Sequence, residues 1–165
     1  MRQSLPENYE QEFEKHINPP ALPDKLWNLL TVAYMDAKSL PRERFQPDSG
    51  VWYHNRRSDN CVVCLSGAIL AKRYKSLLPH NAVLSLREFD SLIQSDDARK
   101  LKAIDSIRSL DFSRLDYLGY VIERDVAVSI AVKLSERAEF YGWKEFDNTL
   151  DAIRHVISIL RWEDI

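Results

Sequence analysis

Cys61-Val62-Val63-Cys64 is the first stretch of this chain whose residue types and spacing could do chemistry. Asp59 or Asn60 can cap a helix running from there to about Leu78, which would put both thiols near the positive end of its dipole. Such a pair could be a redox couple or half of a metal site. A structural zinc site needs four ligands, and the four histidines, His16, His54, His80 and His155, are not paired at metal spacing. Redox pairs of this kind follow a strand in a βαβ unit, usually with Trp or Pro inside or beside them. Val62 and Val63 offer neither. The favoured reading is that Cys61 and Cys64 are buried thiols, small core side chains on the face they share with Ala68. No metal, cofactor or catalytic residue is assigned.

The second group is rich in arginine and aromatics: Arg42, Arg44 and Phe45, then Trp52, Tyr53, His54, Arg56 and Arg57. Aromatic faces stack on bases or sugars, and guanidinium groups pair with phosphates or carboxylates. Arg56 and Arg57 lie just ahead of an expected helix start, a place that favours anions. Glu43, Asp48 and Asp59 are interleaved and dilute the positive field. Trp52, Tyr53, Arg56 and Arg57 are the candidate binding residues. The favoured reading is an ordered loop whose aromatics are core or partner-facing; a binding surface for a protein or an anionic ligand is the alternative. The 25 acidic residues single out no catalytic pair: Asp96-Asp97 and Glu123/Asp125 read as helix starts and solvated faces. The chain has no G-x-S-x-G, H-E-x-x-H, G-x-x-x-x-G-K-[ST] or G-x-G-x-x-G motif.

The elements that must position these groups read as helices. Leu26, Leu30, Ala33 and Ala37 recur at steps of three and four, widened by Trp27 and Tyr34, within a segment from Leu22 to Ser39. Residues 40–60 lose that period and read as a long ordered loop, with a short extended piece at Val51–His54. The helix after it has small residues (Cys61, Cys64, Ser66, Gly67, Ala68), which allow close approach, so it is placed at the centre of the fold. Ser85-x-x-Glu88 resembles a capping box for a short helix over 86–94. Ser95-Asp96-Asp97 starts another, with Leu101, Ile104 and Ile107 as its apolar face. Residues 120–134 suit a strand by the alternation Val126, Val128, Ile130, Val132, and a helix by Val121, Asp125, Val128, Val132. A buried helix is favoured because no partner strand is evident. Phe146, Leu150, Ile153, Ile157 and Leu160 define a C-terminal amphipathic helix, extended upstream by Trp143.

At 165 residues, 45% hydrophobic and 29% charged, the chain suits one globular domain. Four glycines are few for a barrel or sandwich. The expected fold is all-α or mainly α: a polar arm or short helix over 1–20, then a single helical domain over 21–165. A net charge of −2 and a pI near 6.1 count against a nucleic-acid role. No apolar run is long enough to span a membrane, and the polar N-terminus reads as no signal peptide. The expected compartment is the cytoplasm.

Cys61-Val62-Val63-Cys64-Leu65-Ser66-Gly67-Ala68 after Trp52, and later Leu101-Lys102-Ala103-Ile104-Asp105-Ser106-Ile107-Arg108, resemble a set of small bacteriophage and prophage proteins. Their pattern is similar to C-x-V-C-x-A-G-A-x-x-A followed by L-x-A-L-D-x-L-R, and the match covers about a quarter of this chain. Ser66 stands where that pattern has Ala, and Ser109 stands in place of the glycine after the Arg. The resemblance implies a phage-derived cytoplasmic protein and carries no catalytic residues. The leading expectation is a non-enzymatic interaction protein that binds a protein partner or self-associates. The alternatives are nucleic-acid binding through residues 42–57, and thiol redox or metal chemistry through Cys61 and Cys64.

Overall fold

A computed structural model describes residues 21–48, 53–54, 61–74, 83–84, 93, 95–137 and 139–165. The fold is mainly helical, as expected. Among the described residues are helices α1 (Leu26–Lys38), α2 (Leu65–Arg73), α3 (Ser95–Arg108), α4 (Phe112–Tyr117), α5 (Arg124–Leu134) and α6 (Trp143–Trp162). Four short strands accompany them: β1 (Phe45–Pro47), β2 (Tyr53–His54), β3 (Cys61–Val63) and β4 (Val83–Leu84).

α1 is the hub, packing on α2, α3 and α6. Leu26, Leu29, Leu30, Ala33 and Ala37 are fully buried along one stripe. The helix ends where Ser39 donates its backbone N–H to the Met35 carbonyl at 3.1 Å, and Pro41, a poor helix continuer, follows at once. The chain's last residue returns to the start of this helix: the Trp27 N–H donates to the Ile165 carbonyl at 2.9 Å. Beside it, Lys25 and Asp164 pair at 2.5 Å.

The segment read as a long loop carries two strands of a small sheet. Its order is β1-β3-β2-β4. β1 runs parallel to β3 with Phe45 opposite Cys61, and β2 is antiparallel to both β3 and β4. Tyr53–His54 falls inside the extended piece expected at Val51–His54. Pro47 sits on the edge strand, where a missing N–H costs no ladder bond. That edge is covered by Tyr141 and Gly142: Asp48 bridges to Tyr141, and the Gly142 N–H donates to the Pro47 carbonyl at 3.2 Å. Gly142 has φ of 120°, a conformation that L side chains rarely adopt, so the turn into α6 needs glycine there.

The helix expected from Cys61 begins later, and this corrects the placing of the cysteine pair. Cys61 belongs to β3, and Cys64 caps α2, whose first residue is Leu65. β-branched Val62 and Val63 favour the extended state, and the chain turns helical only where small residues begin. The central placing of α2 holds: every residue from Leu65 to Ala71 is buried. Ser66 donates its hydroxyl to the Leu101 carbonyl of α3 at 3.1 Å, a distance a larger side chain would prevent. The short helix expected over 86–94 lies outside the described residues.

α3 buries Leu101, Ile104 and Ile107 as read. Residues 124–134 form a helix, but its buried face is not the expected one. Val126, Ile130 and Leu134, one turn apart, face the core, while Val121, Val128 and Val132 are 70%, 54% and 70% exposed. α6 buries Phe146, Leu150, Ile153 and Leu160 as expected, with Val156 filling the stripe and Ile157 half-buried on its flank. Trp143 meets Phe146 edge-on with ring centroids 5.2 Å apart. The described helices share one apolar core.

Candidate functional site

The cysteine candidate resolves into a capping thiol. Cys64 has extended φ/ψ ahead of α2, and its Sγ accepts the Gly67 N–H at 3.4 Å, the role usually taken by Ser or Asp. Only 1% of the residue is exposed. Burial pushes its pKa to about 11, although the Gly67 hydrogen bond pulls the other way. At pH 8 about one such thiol in a thousand is ionised. This is a poor setting for redox attack or metal binding, and the described residues contain no group of three or more potential metal ligands. Cys64→Ala removes both the cap and a buried sulfur. It should lower stability by about 1–2 kcal/mol in urea titration. A thiol reagent should label Cys64 only once the protein unfolds; rapid labelling of the folded protein would contradict this placing.

Of the arginine and aromatic group, Trp52, Arg56 and Arg57 lie outside the described residues, and Tyr53 is placed as part of β2. The described members separate by role. Arg42 donates to both oxygens of Asp147 at 2.7 and 3.0 Å, and its guanidinium lies 4.4 Å from the centre of the Trp143 ring. It ties the turn ahead of β1 to α6. Arg44 instead lines an open cleft of about 260 Å³ with Leu40, Pro41, Phe45, Ala71 and Lys72. The cleft lies where α1 and α2 both end and β1 begins. His54 and Cys61, between which residues 55–60 run in sequence, lie at the same end of the sheet as Phe45. Next to the cleft, burial raises the Asp36 carboxyl above the usual carboxylate range, while Arg73 and Lys72 pull it back.

A second surface is the valine set that the helical reading of 120–134 put on one face, which the structure leaves exposed. Val128 and Val132 stand one turn apart on the outer side of α5, and Val121 precedes the helix seven residues before Val128. Tyr117, at the end of α4, is almost fully exposed. The signal that could have found this exposure is an excess of apolar residues in 120–134. A helix on the surface of a domain buries one face, and this segment has enough valine and isoleucine for two.

The third feature is an ion cluster in which a buried lysine meets two exposed carboxylates. Lys100 is 1% exposed, and its Nζ lies 2.9 Å from both Asp24 and Asp96 and donates to the Leu22 carbonyl at 2.5 Å. Burial presses its pKa down, but the hydrogen bonds to the two carboxylates outweigh that and raise it. Asp97 accepts the Leu22 N–H at 3.4 Å and the Tyr74 hydroxyl proton. All three ammonium protons are used, so Lys100 is neither base nor nucleophile. The cluster ties residues 22–24 onto α3. Lysines are mostly exposed, and no local pattern marks this one.

No family model, curated protein or solved structure matches this chain.

Proposed function

We propose that the protein is a small non-enzymatic interaction protein of phage or prophage origin, acting by binding a protein partner or by self-association. The observation that carries this reading is the exposed pair Val128 and Val132 on the outer side of α5, with exposed Val121 ahead of the helix. Helix propensity does not account for it, since valine is among the weaker helix formers. Covering a valine side chain fully gains roughly 1.5–3 kcal/mol, so these exposed valines offer a partner apolar contact. Enzymatic use of the buried groups is disfavoured by their chemistry. The Cys64 thiol holds its proton, and the Lys100 ammonium is saturated with acceptors.

Nucleic-acid binding through residues 42–57 is the alternative. Arg42 is already engaged by Asp147, which removes one guanidinium from phosphate contact. No helix among the described residues is long and apolar enough to cross a membrane.

The test is Val128→Asp combined with Val132→Asp. Both positions are exposed, so the expected loss of stability is under about 0.5 kcal/mol per site. The double variant should keep the wild-type circular dichroism. It should lose self-association in sedimentation, or lose the partner recovered from bacterial lysate. A folded variant that keeps its oligomeric state and every partner would overturn the reading.

A further inference from the structure

Two stretches of the chain are held side by side by neighbouring residues of α3. Lys100 donates to the Leu22 carbonyl and pairs with Asp24 at 2.9 Å. Arg99 donates to the Leu118 carbonyl at 2.7 Å, with its guanidinium 5.6 Å from the centre of the Tyr120 ring. Residues 21–24, which lead into α1, therefore lie beside residues 118–120, which lead into α5. Val121 follows at once, and Val128 and Val132 continue the exposed valines along the helix.

Charge does not choose what covers these valines. Exposed Glu123, Asp125 and Glu136 are matched by exposed Arg124, Lys133 and Arg137, so the occupant must offer an apolar stripe. One precedes Ala21 in the sequence. Residues 1–20 lie outside the described residues, and they carry Leu5, Tyr9, Phe13 and Ile17 at every fourth position. On a helix these side chains fall within a stripe about 120° wide, shared by His16 and edged by Glu12, with Glu7, Gln11 and Glu14 opposite. Ser4-Leu5-Pro6-Glu7 has the form of a capping box with proline in the first turn, and Pro19 and Pro20 would stop the helix.

Reach fixes where such a helix can lie. Residues 18–21 span at most about 14 Å, so its Ile17 end stays near Leu22 and hence near the start of α5. A helix over 5–17 is about 20 Å long, and the 11 residues of α5 are about 17 Å. Laid along α5 from that end it runs antiparallel, with Ile17 towards Val121 and Tyr9 towards Val132. Trp162 is also exposed near the entry to α1, but a single side chain leaves most of the stripe uncovered.

We propose that residues 5–17 of this same chain form a helix that lies antiparallel along α5 and covers Val128 and Val132, so that a partner must displace this arm to reach them. The shielding rests on the valine face being the docking surface named above, and adds what guards it.

The experiment is photo-cross-linking of the full chain with p-benzoylphenylalanine in place of Phe13, at low protein concentration. Trypsin digestion of the monomer band should yield a cross-link to the peptide over 125–133. Val128→Asp with Val132→Asp should lower its yield several-fold. In the otherwise unmodified chain, Tyr9→Asp with Phe13→Asp should raise the fluorescence of anilinonaphthalenesulfonate several-fold by uncovering the valines. Any of four results would overturn the shielding: no cross-link, cross-links confined to other peptides or to a covalent dimer, a yield that the valine variant leaves unchanged, or unchanged dye fluorescence. Each of these would leave the valines open to a partner directly. Retention of every partner by the folded valine variant would instead remove the docking reading, whatever the cross-link shows.

Discussion

Ile153→Asp should unfold the protein. Ile153 is fully buried in the middle of α6, on the stripe that packs against α1 and α5. The substitution deletes an apolar side chain worth about 2–5 kcal/mol on truncation and places a carboxyl in the same space. Burying that group without a hydrogen-bond partner adds several kcal/mol more, charged or neutralised. Together these approach or exceed the roughly 5–15 kcal/mol that hold an ordinary domain folded. Loss of the cooperative melting transition, followed by circular dichroism at 222 nm, is the expected result. Ile153→Val, which keeps the chemistry and removes one methylene, should cost only about 0.5–1.5 kcal/mol. An unchanged melting temperature in the aspartate variant would mean that this face of α6 is not core.

Alkaline pH should destabilise the protein steeply between about pH 9 and 11, for reasons visible in four buried groups. The Cys64 thiol is raised from 9.0 to about 11, chiefly by burial. Tyr74 is raised by burial and by the hydrogen bond it gives to Asp97. Tyr120 is raised by burial against the opposing pull of Arg99 and Lys100. Lys100 is raised because its bonds to Asp24 and Asp96 outweigh its burial. In each case the folded protein holds the proton more tightly than the unfolded chain. The stabilisation is therefore complete below the ordinary pKa of each group and is lost as pH rises towards the folded value. Between its two pKa values each group contributes a slope of about 1.4 kcal/mol per pH unit, so the slopes accumulate above pH 10. The urea midpoint should be flat from pH 7 to 8.5 and then fall sharply. Cys64→Ala should abolish the earliest part of the fall, which begins near pH 9, since the thiol has the lowest ordinary pKa of the four. A midpoint that stays level to pH 11 would show that these groups ionise as freely in the folded state as in water.

The residues show which parts of this molecule could be read from sequence. The C-terminal helix and α1 were legible because each carries one apolar stripe and polar residues elsewhere, so the period names both the element and its buried side. Residues 120–134 illustrate the limit of that inference. The segment is a helix, but it is apolar on two sides, and nothing local says whether Val128 or Ile130 faces the core. Contact with α6 decides it: Ile130 is buried and Val128 is left outside. The sheet escaped for a different reason. Strands of two or three residues show no alternation, and β1, β2 and β4 exist only through pairing with residues distant in sequence. The cysteine motif misled because C-x-x-C is read as one unit, whereas here the strand-to-helix boundary falls inside it.

By itself, then, the sequence determined the mainly helical class, the stripes of α1, α3 and α6, and the small-residue character of α2, since each rests on side-chain types three or four positions apart along one helix. Only the tertiary structure decided which face of α5 is free, that Lys100 is buried while its partners Asp24 and Asp96 stay exposed, and that Arg44 and Lys72 meet at one cleft. These are relations between elements far apart in the chain. Burial and electrostatic pairing depend on distance in space, and local periodicity has no information about that distance.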